Sequence, residues 1–314
     1  MGDSARMSAP DLVCLGEPLV EFNQLPDGDL YKAGFGGDTS NTAIAAARQG
    51  AQAGYLTAIG QDRFGDLLEE LWRREGVDIS GVKRDANAPT GIYFVTHSDA
   101  GHHFHYYRAG SAASRMTPAD LPRDTIAGSK ILHVSAISQA ISATARETVQ
   151  AAIDIARAAG VRVCFDTNLR LKLWSLEEAR RAISAAIEQA DILRPALDDA
   201  QTLTGLKDPD AIVDHYLGLG PKLVVMTMGK GGVLLADGTR RHRIPAHRVQ
   251  AVDATGAGDT FNGNFLGRLI AGDAPLEAAR YANAAAALAT TGYGAVAPMP
   301  RPDAVRRFLA EQAA

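Results

Sequence analysis

Asp253-Ala254-Thr255-Gly256-Ala257-Gly258-Asp259-Thr260-Phe261-Asn262-Gly263-Asn264-Phe265 is the stretch around which the rest of the chain is organised. Gly256, Ala257 and Gly258 let the backbone come close to a ligand, and the run Thr260 to Ile270 carries an apolar stripe at helical spacing. The loop is therefore expected to open a helix. The first N–H groups of a helix have no partners inside it and lie at the positive end of its dipole, so such a mouth suits phosphoryl oxygens. Asp259 stands at its edge, where a carboxylate could take the proton of a hydroxyl attacking a phosphate. A plainer reading, an ordinary turn followed by a first-turn acid, accounts for the same residues without a ligand.

Two other glycine-loop chemistries fail on spacing. A Walker A loop ends in Gly-Lys-Ser/Thr, whereas Lys230 is followed by Gly231. A dinucleotide fingerprint begun at Gly256 needs glycine at position 261, where Phe261 stands.

Outward from this stretch, composition sets the frame. The 314 residues, 46% of them hydrophobic, are enough for one large α/β domain with a small appendage. A formal charge of −4, with acids and bases interspersed, implies no basic field for nucleic acid or anionic lipid, so a small-molecule partner is expected. Cys14 and Cys164 each sit in an apolar run and read as core thiols of a reducing compartment. Residues 1–10 read as a loose leader and 11–314 as one domain. The leader lacks an apolar signal segment, and no run reaches the roughly 20 apolar residues of a membrane span, so a cytoplasmic location is expected.

The opening is β-rich: Asp11 to Leu15 and Leu19 to Asn23 read as extended pieces before the turn Pro26-Asp27-Gly28. Gly34-Phe35-Gly36-Gly37-Asp38-Thr39-Ser40-Asn41 reads as a second glycine loop feeding a helix over Thr42 to Gln49. Gly34 and Gly37 would allow close approach there, and Asp38 and Asn41 could bond the hydroxyls of a polyol or simply cap the helix. Ala53 to Ile59 is an expected strand and Asp62 to Glu75 an amphipathic helix.

Thr90 to His97 and His102 to Tyr107 read as a hairpin that interrupts the strand and helix rhythm. It is assigned to a lid, built from about 18–34 and 89–108, whose edges a second subunit could cover in a homodimer or higher homo-oligomer. His102, His103 and His105 lack acidic or cysteine partners and read as a solvated hairpin rather than a metal site. Tyr106 and Arg108, leaving the lid into a loop of small residues, can present a hydroxyl and a guanidinium to a polar ligand.

From Ile131 the order is strand, helix, strand, helix, with near-continuous apolar strands at Lys130 to Ser135, Val161 to Asp166, Asp191 to Arg194 and Lys222 to Met228. This predicts a doubly wound, mostly parallel sheet with helices on both faces, and ligands at the carboxyl ends of its strands. Arg170, just beyond Asp166, falls at that rim.

On Gly36-Gly37-Asp38-Thr39-Ser40-Asn41 near the start and Asp253 to Asp259 near the end, the chain resembles the ribokinase-like carbohydrate kinases, the PfkB family, over nearly its whole length. The resemblance implies a ribokinase-like α/β fold with a small β lid, ATP as phosphoryl donor and Mg2+ on its phosphates. It implies Asp259 as catalytic base and Gly256, Ala257 and Gly258 as the anion hole. The segments Gly34 to Thr39, Tyr106 to Ala112 and Phe165 to Arg170 are most similar to those of the family's 2-keto-3-deoxygluconate kinases. By that resemblance Gly34, Tyr93, Tyr106, Arg108, Ile137 and Arg170 contact the sugar, and Thr227, Gly229, Gly231 and Asn283 contact the nucleotide. Two arginines suit a carboxylate, whereas a neutral sugar needs neither.

The family's Asn-x-x-Glu is replaced by Ala196-Leu197-Asp198-Asp199, which leaves Asp199 as the acid toward magnesium and removes a side-chain ligand at Ala196. Asp253 resembles a residue that helps hold a monovalent cation, K+, in some relatives. The expected reaction is phosphorylation of the terminal hydroxyl of 2-keto-3-deoxy-D-gluconate by a carboxylate base of ordinary strength. The alternatives are a sibling kinase for fructose, ribose, a nucleoside or another keto-acid sugar, and a non-catalytic sensor on the same fold.

Overall fold

A computed structural model of the chain describes residues 9–25, 28–98 and 101–313. Residues 1–8 of the expected leader, Pro26-Asp27 of the first turn and Asp99-Ala100 of the hairpin turn lie outside the described residues. The strands are β1 Leu12–Leu15, β2 Leu19–Gln24, β3 Tyr31–Gly36, β4 Ala53–Gly60, β5 Val82–Asp85, β6 Ile92–Ser98, β7 Gly101–Tyr107, β8 Ile131–Ser135, β9 Arg162–Asp166, β10 Ile192–Arg194, β11 Leu223–Thr227, β12 Val233–Ala236 and β13 Arg241–Ile244.

Nine of them form one sheet in the order β13-β12-β11-β10-β9-β8-β1-β4-β5, parallel except for β12 and its two neighbours' pairings with it. Side chains alternate across a strand, and here both sides are apolar. Leu12 and Cys14 enter one core with Tyr55, Ile131, Phe261 and Phe265, while Val13 and Leu15 enter the other with Leu132, Val134, Val163 and Phe165. Strands buried on both faces read as unbroken apolar runs, which is why the sequence shows them as such. The sheet is doubly wound, as expected.

β5 and β13 escape the sequence pattern. Their residues, Val-Lys-Arg-Asp and Arg-His-Arg-Ile, are mostly charged because they lie at the two edges of the sheet, where charge protects unpaired backbone. The helix Pro209–Gly218 is likewise added by the structure.

β1 lies between β4 and β8, so the chain winds outward from it in both directions. In sheets of this kind the crevice that holds ligands lies at such a switch point, outside the carboxyl ends of the strands, here β1, β8 and β9. Two helices on one face aim their N-termini at it: Asp38–Arg48 and Ala257–Ile270. They touch through small residues. A Cβ on Gly263 would lie 2.4 Å from the Thr42 carbonyl oxygen and 2.5 Å from the Ala45 Cβ, so only glycine permits this approach.

The remaining strands form a separate four-stranded sheet, β3-β2-β6-β7. It corrects the expected second glycine loop. Gly34 and Gly36 are strand residues paired with Glu21 and Leu19, and the helix begins at Asp38 rather than Thr42. Asp38 to Asn41 therefore form its first turn rather than its cap. The cap is Gly37, whose φ of 106° and whose Cβ direction, 2.4 Å from the Glu17 carbonyl oxygen, both demand glycine.

Candidate active site

The helix Ala257–Ile270 starts a turn earlier than the apolar stripe indicated, with Gly256 as a left-handed cap at φ 73°. Of the expected anion hole, the Ala257 N–H already donates to the Ala254 carbonyl at 3.2 Å. The first-turn amide of Gly258 remains for a ligand, as does that of Asp259 itself. Asp253 fastens the loop: its Oδ1 accepts from the Thr255 N–H and hydroxyl at 2.9 and 2.6 Å, and its Oδ2 accepts from the Gly294 N–H at 2.9 Å.

Asp259 retains some solvent contact at the floor of the crevice but is densely surrounded by protein. Its Oδ2 accepts from Asn41 Nδ2 at 2.8 Å, joining the two helix N-termini across 218 positions of sequence. Nearby, Asn168 Nδ2 donates to Asp38 at 2.9 Å, and Asn262 Nδ2 donates to Asp166 at 2.5 Å. Burial first, then the charge of Asp38, pushes the Asp259 carboxyl up to about 8; Asn41 and Arg170 oppose the shift, and Asp166 adds to it. The expectation of a base of ordinary strength is thus corrected. A local motif shows an acid at a helix mouth, and it cannot show two further acids brought alongside.

The small sheet faces this floor with one row of side chains. Register places Gly34, Glu21, Tyr93 and Tyr106 side by side across β3, β2, β6 and β7. The Tyr93 ring stacks on Tyr106 at 5.4 Å, and its hydroxyl donates to the buried Glu21 carboxylate. The Tyr93 hydroxyl is pushed far up, chiefly by burial and Glu21, and the charge of Asp259 also reaches it. Arg170, exposed in the loop after β9, acts on the same space: its charge lowers Asp259, Asp199 and Tyr106. Ile137 is half-buried on the short helix Ala136–Ala140 that follows β8.

Arg108 is held from within the protein. Its Nη2 donates to Glu17, a fully buried carboxylate that also accepts from the Ser111 hydroxyl at 3.0 Å. The guanidinium, 5.4 Å from the Tyr106 ring centre, is thus paired through Nη2, while its buried Nε has no hydrogen-bond partner. Glu17 itself is pushed up by burial, with Arg108 pulling the other way.

On the expected nucleotide side, Thr227 closes β11 and Gly229–Gly231 forms the turn after it. Asn283 donates to the Pro245 carbonyl at 2.8 Å, an internal bond rather than a free contact. Asp199 accepts from the Leu169 N–H at 3.0 Å and is pushed up by burial. Among the described residues no group of three or more His, Cys, Asp or Glu side chains could hold a metal ion, which does not fit a metal held by the protein alone.

Glu17, Glu21 and Asn262 were missed as site residues, and Asp166 and Asn168 entered only within the segment Phe165 to Arg170. The available signal was a polar residue in an apolar context: Glu17 follows the β1 run two residues past its end, Asp166 ends the β9 run, and Asn262 interrupts the helical stripe.

Residues 9–302 match the pattern of the pfkB family carbohydrate kinases. The chain belongs to the PfkB family of carbohydrate kinases. It is 36% identical over 313 residues to a 2-dehydro-3-deoxygluconokinase of Thermoproteus tenax, covering 95% of this chain and 94% of that protein. It is 34% identical over 317 residues to a probable fructokinase-7 of Arabidopsis thaliana, covering 95% and 92%. Among solved structures, a putative ribokinase II from E. coli in complex with ATP and Mg2+ superposes with a TM-score of 0.89 at 25% identity, covering 96% and 99%. The fold of this PfkB kinase is thus ribokinase-like. Relatives named for different sugars match it about equally, so membership establishes a carbohydrate kinase and leaves the sugar to the site. No helix among the described residues is long and apolar enough to cross a membrane.

Proposed function

We propose that this kinase transfers the γ-phosphoryl group of ATP to the terminal hydroxyl of 2-keto-3-deoxy-D-gluconate, giving the 6-phosphate and ADP. The observation that carries the phosphotransfer reading is Asp259, oriented by Asn41 at 2.8 Å, beside the free first-turn amide of Gly258. The sugar oxygen attacks phosphorus, the bond to ADP breaks, and the hydroxyl proton passes to Asp259. Raised toward 8, that carboxylate is poised near neutral pH, where a general base works best. Magnesium would arrive with the ATP substrate and neutralise phosphate charge there, and Asp199 is the acid that would approach it. The lid row Gly34, Tyr93 and Tyr106 covers the sugar and excludes water. Thr227, Gly229 and Gly231, at the end of β11, flank the nucleotide.

The acidic sugar is supported by Arg170, an exposed guanidinium whose charge already reaches Asp259 and Tyr106. A second reading, fructose, is favoured by the pairing of Arg108 with Glu17, which cancels the other charge a carboxylate would seek. Labelled ATP offered with ketodeoxygluconate, fructose, ribose and nucleosides tests this. Preferential label transfer to the keto acid supports the proposal, preference for fructose selects the second reading, and transfer to no sugar removes both. The exposed Tyr107 on the lid's other face supports a homodimer through the lid, to be checked by light scattering.

A further inference from the structure

Arg194 ends β10 and points inward, 2% exposed and among the largest fully buried side chains. A buried guanidinium is costly unless paired and fully bonded, so its partners indicate what it is for. Nη1 donates to the Val225 carbonyl at 3.1 Å, and Nε donates to Asn262 Oδ1. The cation lies 4.6 Å from the centre of the Phe261 ring. Both Phe261 and Asn262 belong to the second turn of the helix whose first turn carries Asp259, and Asn262 is three residues on, on the same side. The other end of the Asn262 amide donates to Asp166 at 2.5 Å. Arg194 thus grips the helix mouth from below and, through one amide, an acid of the crevice.

We infer that Arg194 is a positioning residue for the phosphotransfer reaction: it locks the first turns of the helix Ala257–Ile270 through Phe261 and Asn262 and supplies a buried positive charge to the crevice acids. The inference rests on the reading of Asp259 as the base. The groups facing this space are Asp38 from the helix Asp38–Arg48, Asp166 and Cys164 from β9, Arg170 from the following loop, His133 from β8 and Tyr93 from the lid. His133 is held neutral by burial, near 4, and burial keeps the Cys164 thiol and Tyr93 hydroxyl protonated. That leaves Asp38, Asp166 and Arg170 as the acidic and basic side chains around this space, and Arg170 is exposed to solvent. The charges of Asp166 and Asp259 both reach Arg194. Removing that cation disfavours ionised acids, so the pH at which activity rises must move upward.

The test measures pH profiles of kcat/KM for the sugar with saturating ATP and magnesium, for the full chain and for Arg194→Gln, Arg194→Lys, Asn262→Ala and Asp259→Asn. Arg194→Gln is expected to lower kcat by roughly tenfold or more, with KM for ATP little changed, and to raise the acid limb by about half a pH unit or more. Arg194→Lys, which keeps the charge, is expected to return the limb to its parental position. Asn262→Ala, which cuts the relay and leaves the cation, is expected to lower kcat about fivefold or more without moving the limb. If Arg194→Gln does not fold, Asn262→Ala decides: a loss of kcat supports the inference and a parental rate overturns it. Folded Arg194→Gln with parental kcat and limb overturns it as well. Asp259→Asn separates the two readings, since near-full activity there removes the base itself, whereas a dead Asp259→Asn beside a parental Arg194→Gln removes only the role of Arg194.

Discussion

Asp259→Asn should make the ligand-free protein more stable at pH 8 while abolishing its turnover. The Asp259 carboxyl ionises near 8 in the folded chain and near 3.8 when free of it, so the fold favours its protonated form. With a raised folded-state pKa, stability is undiminished below about pH 4 and is lost as pH rises from there toward 8, where the unfolded chain is ionised and the folded chain resists. At about 1.4 kcal/mol for each tenfold in proton concentration, the ceiling is about 6 kcal/mol; residual solvent contact screens this to roughly 1–3 kcal/mol. For a chain of this length that is about 2 to 5 °C in Tm. The isosteric amide keeps an acceptor for Asn41 and carries no charge, so its advantage should appear at pH 8 and fade at pH 4 to 5. Thermal melts of both proteins across pH 4.5 to 8.5, without ATP or sugar, read the difference directly. A Tm difference that is the same at both ends of the range would refute the electrostatic reasoning, whatever happens to activity. In the same preparations the rate should fall about 100-fold or more, as expected when a general base is removed.

Arg170→Ala should raise KM for ketodeoxygluconate by about tenfold or more, the worth of a charge-assisted hydrogen bond, and leave a neutral sugar nearly untouched; equal effects in a two-sugar kinetic comparison would count against carboxylate recognition. Gly263→Ala should destabilise the fold by about 1–3 kcal/mol and lower kcat, because its Cβ meets the Thr42 carbonyl and Ala45 and must part the helices that bring Asn41 to Asp259. Denaturant melts and kcat measured together check this, and a fully active, fully stable variant would contradict the close packing.

The residues themselves disclose the doubly wound sheet, the helix mouth at Gly256 to Asp259 and the hairpin of the small sheet, because each is written in short-range periodicity: apolar strand runs, a helical stripe, glycines at a cap. The same local logic misplaces Gly34 to Gly36, since nothing within that stretch announces that Leu19 and Glu21 will pair with it. What tertiary structure alone decided is which charges meet. It set Asn41 against Asp259 across 218 positions, spent the charge of Arg108 on Glu17, and turned Arg194 inward onto Asn262. Electrostatic energy depends on distance and burial in space rather than on order along the chain, so the ionisation of Asp259 could emerge only when the strands and helices had closed around it.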